Sequence, residues 1–177
     1  ASLAGPSDYA GRSLLHVRCS RSTDFPKKQY KFETIDEANE DLAAPLLGMP
    51  AESDWVLYAP YSDKTLMRNV LTYQWFGEMG WYSVRTRYCE VFLNTSGSSA
   101  VSADDYVGVY VLVEKIKADD DRVDIERMGP DDNTAPEVTG GYILEGVDDS
   151  RAEGVQGVDW FQHSNMYLNY VEPRSWE

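Results

Sequence analysis

The sequence predicts an α+β fold, an antiparallel sheet with one main packed helix. Three observations carry that expectation. Short apolar runs bounded by Pro, Gly, Ser and Asp clusters recur between residues 14 and 146, the pattern of strands joined by turns. One stretch, residues 63–79, repeats its apolar side chains at helical spacing. Residues 106–117 are apolar on both alternating faces, as a strand buried on both sides is. The 177 residues, 42% hydrophobic and 12% aromatic, suffice for a packed core of this kind.

The elements follow in order. Residues 14–19 and 29–34 read as short strands, joined by the polar, Pro-containing connection 20–28 into an opening hairpin. Residues 35–50 mix acids, alanines and prolines without sustained period and predict a short helix near 37–42, then loop. Residues 54–59, DWVLYA, form a compact apolar stretch. Ser62 or Asp63 can cap the helix over 63–79, which sets Leu66, Met67, Val70, Leu71 and Tyr73 on one face against Lys64, Thr65, Arg68, Asn69 and Thr72. Gly80 ends it. Strands are expected at 84–93 and 106–117, separated by the Ser/Gly/Asp-rich loop 94–105. The second is a central strand, with Val107, Val109, Val111 and Val113 on one face and Tyr110, Leu112 and Ile116 on the other. Acidic turns at 119–121 and 131–132 bracket a short strand at 122–125, and 141–145 makes another. From Val147 the chain reads as polar and irregular, with scattered aromatics Trp160, Phe161, Tyr167, Tyr170 and Trp176 and no internal repeat.

Charge and composition exclude several function classes. Sixteen basic residues against thirty acidic ones give a net charge of −14, which repels phosphate backbones, so nucleic acid is not an expected partner. No apolar run of about 18 residues occurs, so no membrane span is expected, and the first residues lack the basic-then-apolar pattern of a signal peptide. Either the protein is cytosolic or its targeting segment has been removed. Cys19 and Cys89 are too far apart for a CxxC motif and too few for a disulfide framework; they read as ordinary thiols, one structural disulfide being the alternative in an exported chain.

The densest cationic cluster is Arg18, Arg21, Lys27, Lys28 and Lys31, around one hairpin of an acidic chain. Such a patch can seat a phosphate group through charge-assisted donors. The plainer reading is a solvated strand edge whose lysines discourage edge pairing. In the segment DKTLMRN, Lys64 and Arg68 lie four residues apart on the polar helix face beside Asn69. Where a helix acid orients a strand lysine, Asp63 and Glu78 are the acids available; a cap and an exposed charge are the plainer readings. The segment YVLVEKIK is a buried strand ending in charges, suited either to a connector whose backbone meets a base or to a core strand leaving its sheet. His16 and His163 are isolated, and no HExxH, GxSxG or GxxxxGK[ST] pattern occurs. The acid pairs Asp104 with Asp105 and Asp148 with Asp149, and the run 119–121, do not match EF-hand spacing and read as solvated turns. No catalytic residue and no metal ligand is assigned.

Five segments, in order, resemble one family. VRCSRSTDFPKKQYKFE, residues 17–33, resembles the CotH pattern VRGxSS followed by PKKxYxxE. LGMPAESDWVLYAPYSDKTLMRN, residues 47–69, resembles LGxPxxxDWVLxxPxxDKTLxRN. GWYSVRTRYCEVFLN resembles the family segment that ends in a strand and an asparagine turn, YVGVYVLVEKIKADDDRVDI resembles YxGVYxLxEKIKxxxxRVDI, and TGGYILEGVD resembles GGYILExD. Together they are highly specific to CotH-like atypical protein kinases.

The resemblance implies the N-lobe of an atypical protein-kinase-like fold over residues 1–146, with the start of the following, truncated lobe at 147–177. It implies ATP bound between two lobes, Mg²⁺ or Mn²⁺, and transfer of the γ-phosphoryl group to Ser or Thr of a protein substrate. It also implies a secreted, cell-surface or spore-coat location, with the cytoplasm as the alternative. The family's catalytic aspartate and its metal-binding aspartate, in a motif resembling WDxD, follow the GGYILE region; neither is recognisable here, and the 177-residue piece is expected to be inactive alone. Carried over by motif, cofactor-binding roles fall on Arg18, Lys27, Lys28, Arg68, Glu114 and Lys115, with Lys27 or Lys28 on the nucleotide phosphates and Arg18 supporting the loop. Two departures stand out. Cys19 occupies the position of the family glycine, where a side chain hinders close backbone approach to phosphate, and the tight NGxY turn is expanded into the loop between Asn94 and Tyr106. The second is a surface insertion compatible with the fold. A non-catalytic extracellular binding or scaffold domain is the alternative reading.

Overall fold

The computed structural model describes residues 6–18, 24–148, 160–161 and 166–173. It comprises two compact units, Ala1–Lys115 and Ile116–Glu177. Cys19, Arg21, Asp149, His163 and Trp176 lie outside the described residues.

The first unit is built on a five-stranded sheet in the order β1-β2-β3-β5-β4, antiparallel at every pairing. Its strands are β1 Arg12–Arg18, β2 Gln29–Ile35, β3 Asp54–Tyr58, β4 Thr86–Phe92 and β5 Tyr106–Glu114, with the helix α1, Arg68–Glu78, between β3 and β4. This is the expected α+β arrangement. Because strand side chains alternate, the pairing register sorts the sheet into two faces. Lys31, Val56 and Val113 share one face, and Phe32, Trp55 and Glu114 share the other. On the first, Val56, Val84, Val111 and Val113 form a core onto which Val70 and Tyr73 of α1 pack. On the far face, Met49, Trp55 and Leu112 form a second core with Phe32, Leu46, Leu57 and Cys89. Residues Tyr110 to Glu114 of β5 are all buried, as the both-faces apolar pattern predicts for an interior strand.

Two local expectations fail in this unit. No helix forms over 37–42: the Asp36 carboxylate accepts from the N–H groups of Ala38 and Glu40 at 2.8 and 2.9 Å, and Asn39 takes φ +67°. A side chain that satisfies local N–H groups competes with helix for the same donors. The helix also begins five residues later than Asp63. Leu66 has φ +61°, which interrupts helical backbone, and α1 starts only after it. Its end agrees with expectation, Gly80 following at φ +89°.

The 94–105 loop is folded on itself. Asn94 accepts from the Ser96 backbone and hydroxyl and donates to the carbonyls of Ser98 and Ala100. Ser102 and Asp105 form a reciprocal capping box, and the Leu93 N–H to Asp105 carbonyl bond closes the loop at 2.8 Å. β4 and β5 pair up to the loop, with a register shift between Val91 and Phe92 beside it.

In the second unit, β6 Ile143–Asp148, β7 Trp160–Phe161 and β8 Met166–Glu172 form an antiparallel sheet in the order β6-β8-β7. The expectation of an irregular tail is therefore corrected: residues 166–172 are a strand paired along β6. The strand expected at 122–125 is absent; a single parallel bridge joins Ala118 to Val123, and Asp119 ties the turn by accepting the Asp121 N–H. Gly141, in the GGY segment, has φ +81°, and a Cβ there would stand 2.2 Å from the Glu126 carbonyl oxygen, so no larger residue fits.

Candidate functional site

The register separates the sequence-predicted residues into two groups at opposite ends of β5. Arg18 pairs with Gln29 at the end of the β1–β2 hairpin, and Lys27 and Lys28 lie just before β2 at that same end. Lys27 does not project freely. Its ammonium sits 4.5 Å from the centre of the Tyr110 ring and donates to the Val109 carbonyl. A Cβ at Gly108, where φ is +109°, would stand 3.1 Å from that nitrogen, so the absent side chain makes room for it. The Tyr110 hydroxyl donates to the Lys28 carbonyl at 3.0 Å, fastening the approach to β2 onto β5 a second time. Burial pushes the Lys27 ammonium below its ordinary value. Burial, then the neighbouring Tyr30, pushes the Tyr110 hydroxyl up to about 12.

Glu114 lies four residues further along β5, about 13 Å at strand spacing. Its carboxylate is buried and takes the Arg85 Nε at 2.6 Å and the Arg85 backbone N–H at 2.8 Å. The same pair is closed by the Glu114 N–H to Arg85 carbonyl bond at 3.3 Å. Glu114 is on the far face, opposite Trp55. Lys115 reaches the other way, to Asp54 at 3.1 Å. Asp54 is also 3.8 Å from Lys31, which pairs with Glu33 as well. Lys31, Glu33, Asp54 and Lys115 thus make one chain of alternating charges on the face that carries α1.

Arg68 opens α1, and its anchor is Asp63. The Asp63 carboxylate accepts from Thr65 N–H and hydroxyl at 3.0 and 2.7 Å and from Arg68 N–H at 2.9 Å, with the Arg68 Nε 3.5 Å away. The Thr65 hydroxyl first, then the Arg68 N–H, hold the Asp63 carboxyl below the usual carboxylate range. Burial first and Asp63 second raise the Tyr58 hydroxyl, which places Asp63 beside the end of β3. The Tyr88 hydroxyl donates to the Leu66 carbonyl at 2.9 Å, fixing the same turn to β4. Of the two acids, Asp63 therefore anchors the turn that leads into α1, accepting the N–H of its first residue, and Glu78 is an exposed partner of Gln74 at 2.8 Å.

A family model described as CotH kinase protein matches residues 11–176. The chain belongs to the CotH kinase family. No curated protein and no solved structure matches it. The CotH match spans both compact units and nearly the whole chain.

Within this CotH chain, the two motif residues most conspicuous in sequence, Lys27 and Glu114, have structural partners, Tyr110 and Arg85. Two residues of the charged face, Glu33 and Asp54, were not singled out by sequence, and Lys31 was singled out only as a member of the cationic cluster. The available signal was period-two spacing, since Lys31 and Glu33 share a face within one strand. Among the described residues, no three His, Cys, Asp or Glu side chains gather as a metal site. What the face offers is ammonium donors held by carboxylates, a set that fits phosphate oxygens.

Proposed function

We propose that the complete protein is an ATP-dependent protein kinase and that this chain supplies its nucleotide-covering lobe, residues 1–146, with the start of the following lobe. The reaction is transfer of the γ-phosphoryl group to a Ser or Thr hydroxyl of a protein substrate, with Mg²⁺ or Mn²⁺ neutralising phosphate charge. Such transfer depends on positioning and electrostatics more than on covalent chemistry by the protein. The observation that carries the reading, beside family membership, is the charged sheet face next to α1, where a strand lysine stands in a carboxylate frame. The expected cofactor residues take two roles on this reading. Arg18, Lys28 and Arg68 face the nucleotide, while Lys27, Glu114 and Lys115 hold the sheet that presents them. The protein works outside the cytoplasm, at a cell surface or spore coat; among the described residues no helix is long and apolar enough to cross a membrane.

The test is a melt of the purified 177-residue chain with and without Mg-ATP. A ligand at 100 times its Kd stabilises by about 2.7 kcal/mol, which for a chain of this size is a rise of roughly 5–11 °C. No rise at millimolar nucleotide would refute nucleotide binding. The chain alone is expected to incorporate no labelled phosphate, because the family's catalytic and metal-binding aspartates are not recognisable in it. Incorporation that survives removal of contaminating kinases would overturn that part.

A further inference from the structure

We propose that Lys31 is the lysine that meets the nucleotide phosphates, with Arg18 as its neighbour, and that Lys27 is a fastening of the sheet. The inference rests on the nucleotide-binding reading above and names the residue on which binding turns.

Lys27 is committed elsewhere. Its ammonium is on the far face, against the Tyr110 ring and the Val109 carbonyl, in the space left by Gly108. Reaching a phosphate would break both contacts. Lys31 is placed differently. It lies on the face that carries α1, opposite His16, and Arg18 is two residues along β1 from His16 on that same face. Diagonal neighbours of this kind are about 7–8 Å apart at the backbone, a gap that two long cationic side chains close on a single phosphate. The Lys31 side chain keeps 38% of its surface exposed while Glu33 and Asp54 hold its direction. An ammonium has three donors, so these two carboxylates leave at least one for a phosphate oxygen. Asp54 also takes Lys115, so the frame is tied to the end of β5 and does not move with the hairpin. Arg18 adds a further cation to this sheet face, on which Glu33 and Asp54 stand against Lys31 and Lys115.

The experiment uses the full chain and an ATP analogue bearing an acyl group on its terminal phosphate. A lysine amine at the phosphates attacks the acyl carbon, the acyl–oxygen bond breaks, the nucleotide leaves with its phosphate, and the lysine proton goes to water. Peptide mapping should find the acyl group on Lys31, with labelling suppressed by excess ATP. Lys31→Met should weaken nucleotide binding about tenfold or more, the loss expected of one charge-assisted contact, and Lys31→Arg should restore part of it. Lys27→Met should melt lower without nucleotide yet keep the nucleotide-induced rise. ATP-suppressible label on Lys27 or Lys28 with none on Lys31, or wild-type affinity in Lys31→Met, would overturn the inference alone. A wild-type chain that neither labels suppressibly nor melts higher with Mg-ATP would overturn the nucleotide-binding reading itself, and the inference with it. The labelling arm needs no variant, so the position of the acyl group decides between Lys31 and Lys27 even if Lys31→Met fails to fold.

Discussion

Replacing Arg85 should damage the protein more than replacing its partner Glu114, although the two share the same bonds. The carboxylate is almost wholly buried, its side chain 1% exposed, whereas Arg85 is 40% exposed. Arg85→Met removes the guanidinium and leaves a charged carboxylate in the far-face core with the Arg85 backbone N–H at 2.8 Å but without the 2.6 Å ion pair. Breaking a buried pair from that side costs about 3–5 kcal/mol. Glu114→Gln keeps the side-chain shape and an oxygen for the backbone N–H, and the guanidinium, 40% exposed, can turn to water. Its cost is about 1–2 kcal/mol, that of weakening one charge-assisted bond. For a chain of this size, at about 2–4 °C per kcal/mol, the melting point falls by roughly 6–20 °C for Arg85→Met and roughly 2–8 °C for Glu114→Gln. Calorimetry or circular dichroism, with reversibility checked, measures both. Equal losses, or a larger loss for Glu114→Gln, would refute the argument that burial on the acid side sets the energetics. A Glu114→Gln chain that melted like the wild type but no longer bound nucleotide would instead make Glu114 a ligand.

Two further outcomes follow from the same contacts. Tyr110 ionises near 10 when unfolded and at about 12 when folded, so above pH 10 the unfolded chain binds fewer protons than the native one. From this group stability should fall between pH 10 and 12 by about 1.4 kcal/mol per pH unit, and Tyr110→Phe should flatten that limb in alkaline denaturation curves. Asp63→Asn should fray the start of α1, read as faster amide exchange at Arg68 and a lower melting point. Since the folded Asp63 carboxyl lies below its ordinary value, the stability it contributes is complete above that ordinary value and is lost as pH falls through the folded one. Acid denaturation of Asp63→Asn should therefore start from a lower stability and show a shallower acid limb than wild type; an unchanged limb would show that Asp63 does not titrate as described.

How much of this was legible in sequence depends on whether the deciding interaction was local. The strands β2, β3 and β5 were readable because apolar runs such as DWVLY and YVGVYVLVE can be satisfied only by burial. The 37–42 segment misled because helix propensity says nothing of an Asp36 carboxylate taking two nearby N–H groups. Residues 166–172 misled because MYLNYVE lacks clean alternation, and its strand character comes from pairing along β6. At the site, the cluster Arg18, Lys27, Lys28 and Lys31 was visible as composition, but which members share a face was not. Lys27 precedes the strand, so alternation does not govern it, and its direction is set by Tyr110 and Gly108, some eighty residues away in sequence. Lys31 is inside β2, and its face follows from the register with Val56.

The sheet uses its two faces unequally, and this bears on where a ligand can bind. On the far face, Trp55, Leu112 and the Arg85–Glu114 pair form a packed interior. On the other face, α1 covers the valines of β3 and β5 through Val70 and Tyr73 and leaves the β1–β2 half to Leu14, His16, Arg18, Lys31 and Glu33, of which Leu14 is an exposed apolar side chain. β1 is an edge strand, exposed along its whole length and paired with β2 in the sheet, its Arg12 also donating to the carbonyls of Asp36 and Glu37. Such an edge invites pairing with another chain unless it is charged or covered. Arg12 and Arg18 on β1 supply the charge. Anion binding there would add to the same protection, since a phosphate held between β1 and β2 couples the edge strand to the carboxylate frame at Asp54. A hairpin stiffened by ligand should exchange its amides more slowly with Mg-ATP present, most at the Arg18–Gln29 end and least at Arg12–Ile35, and uniform protection along β1 would argue against a phosphate seated at that end.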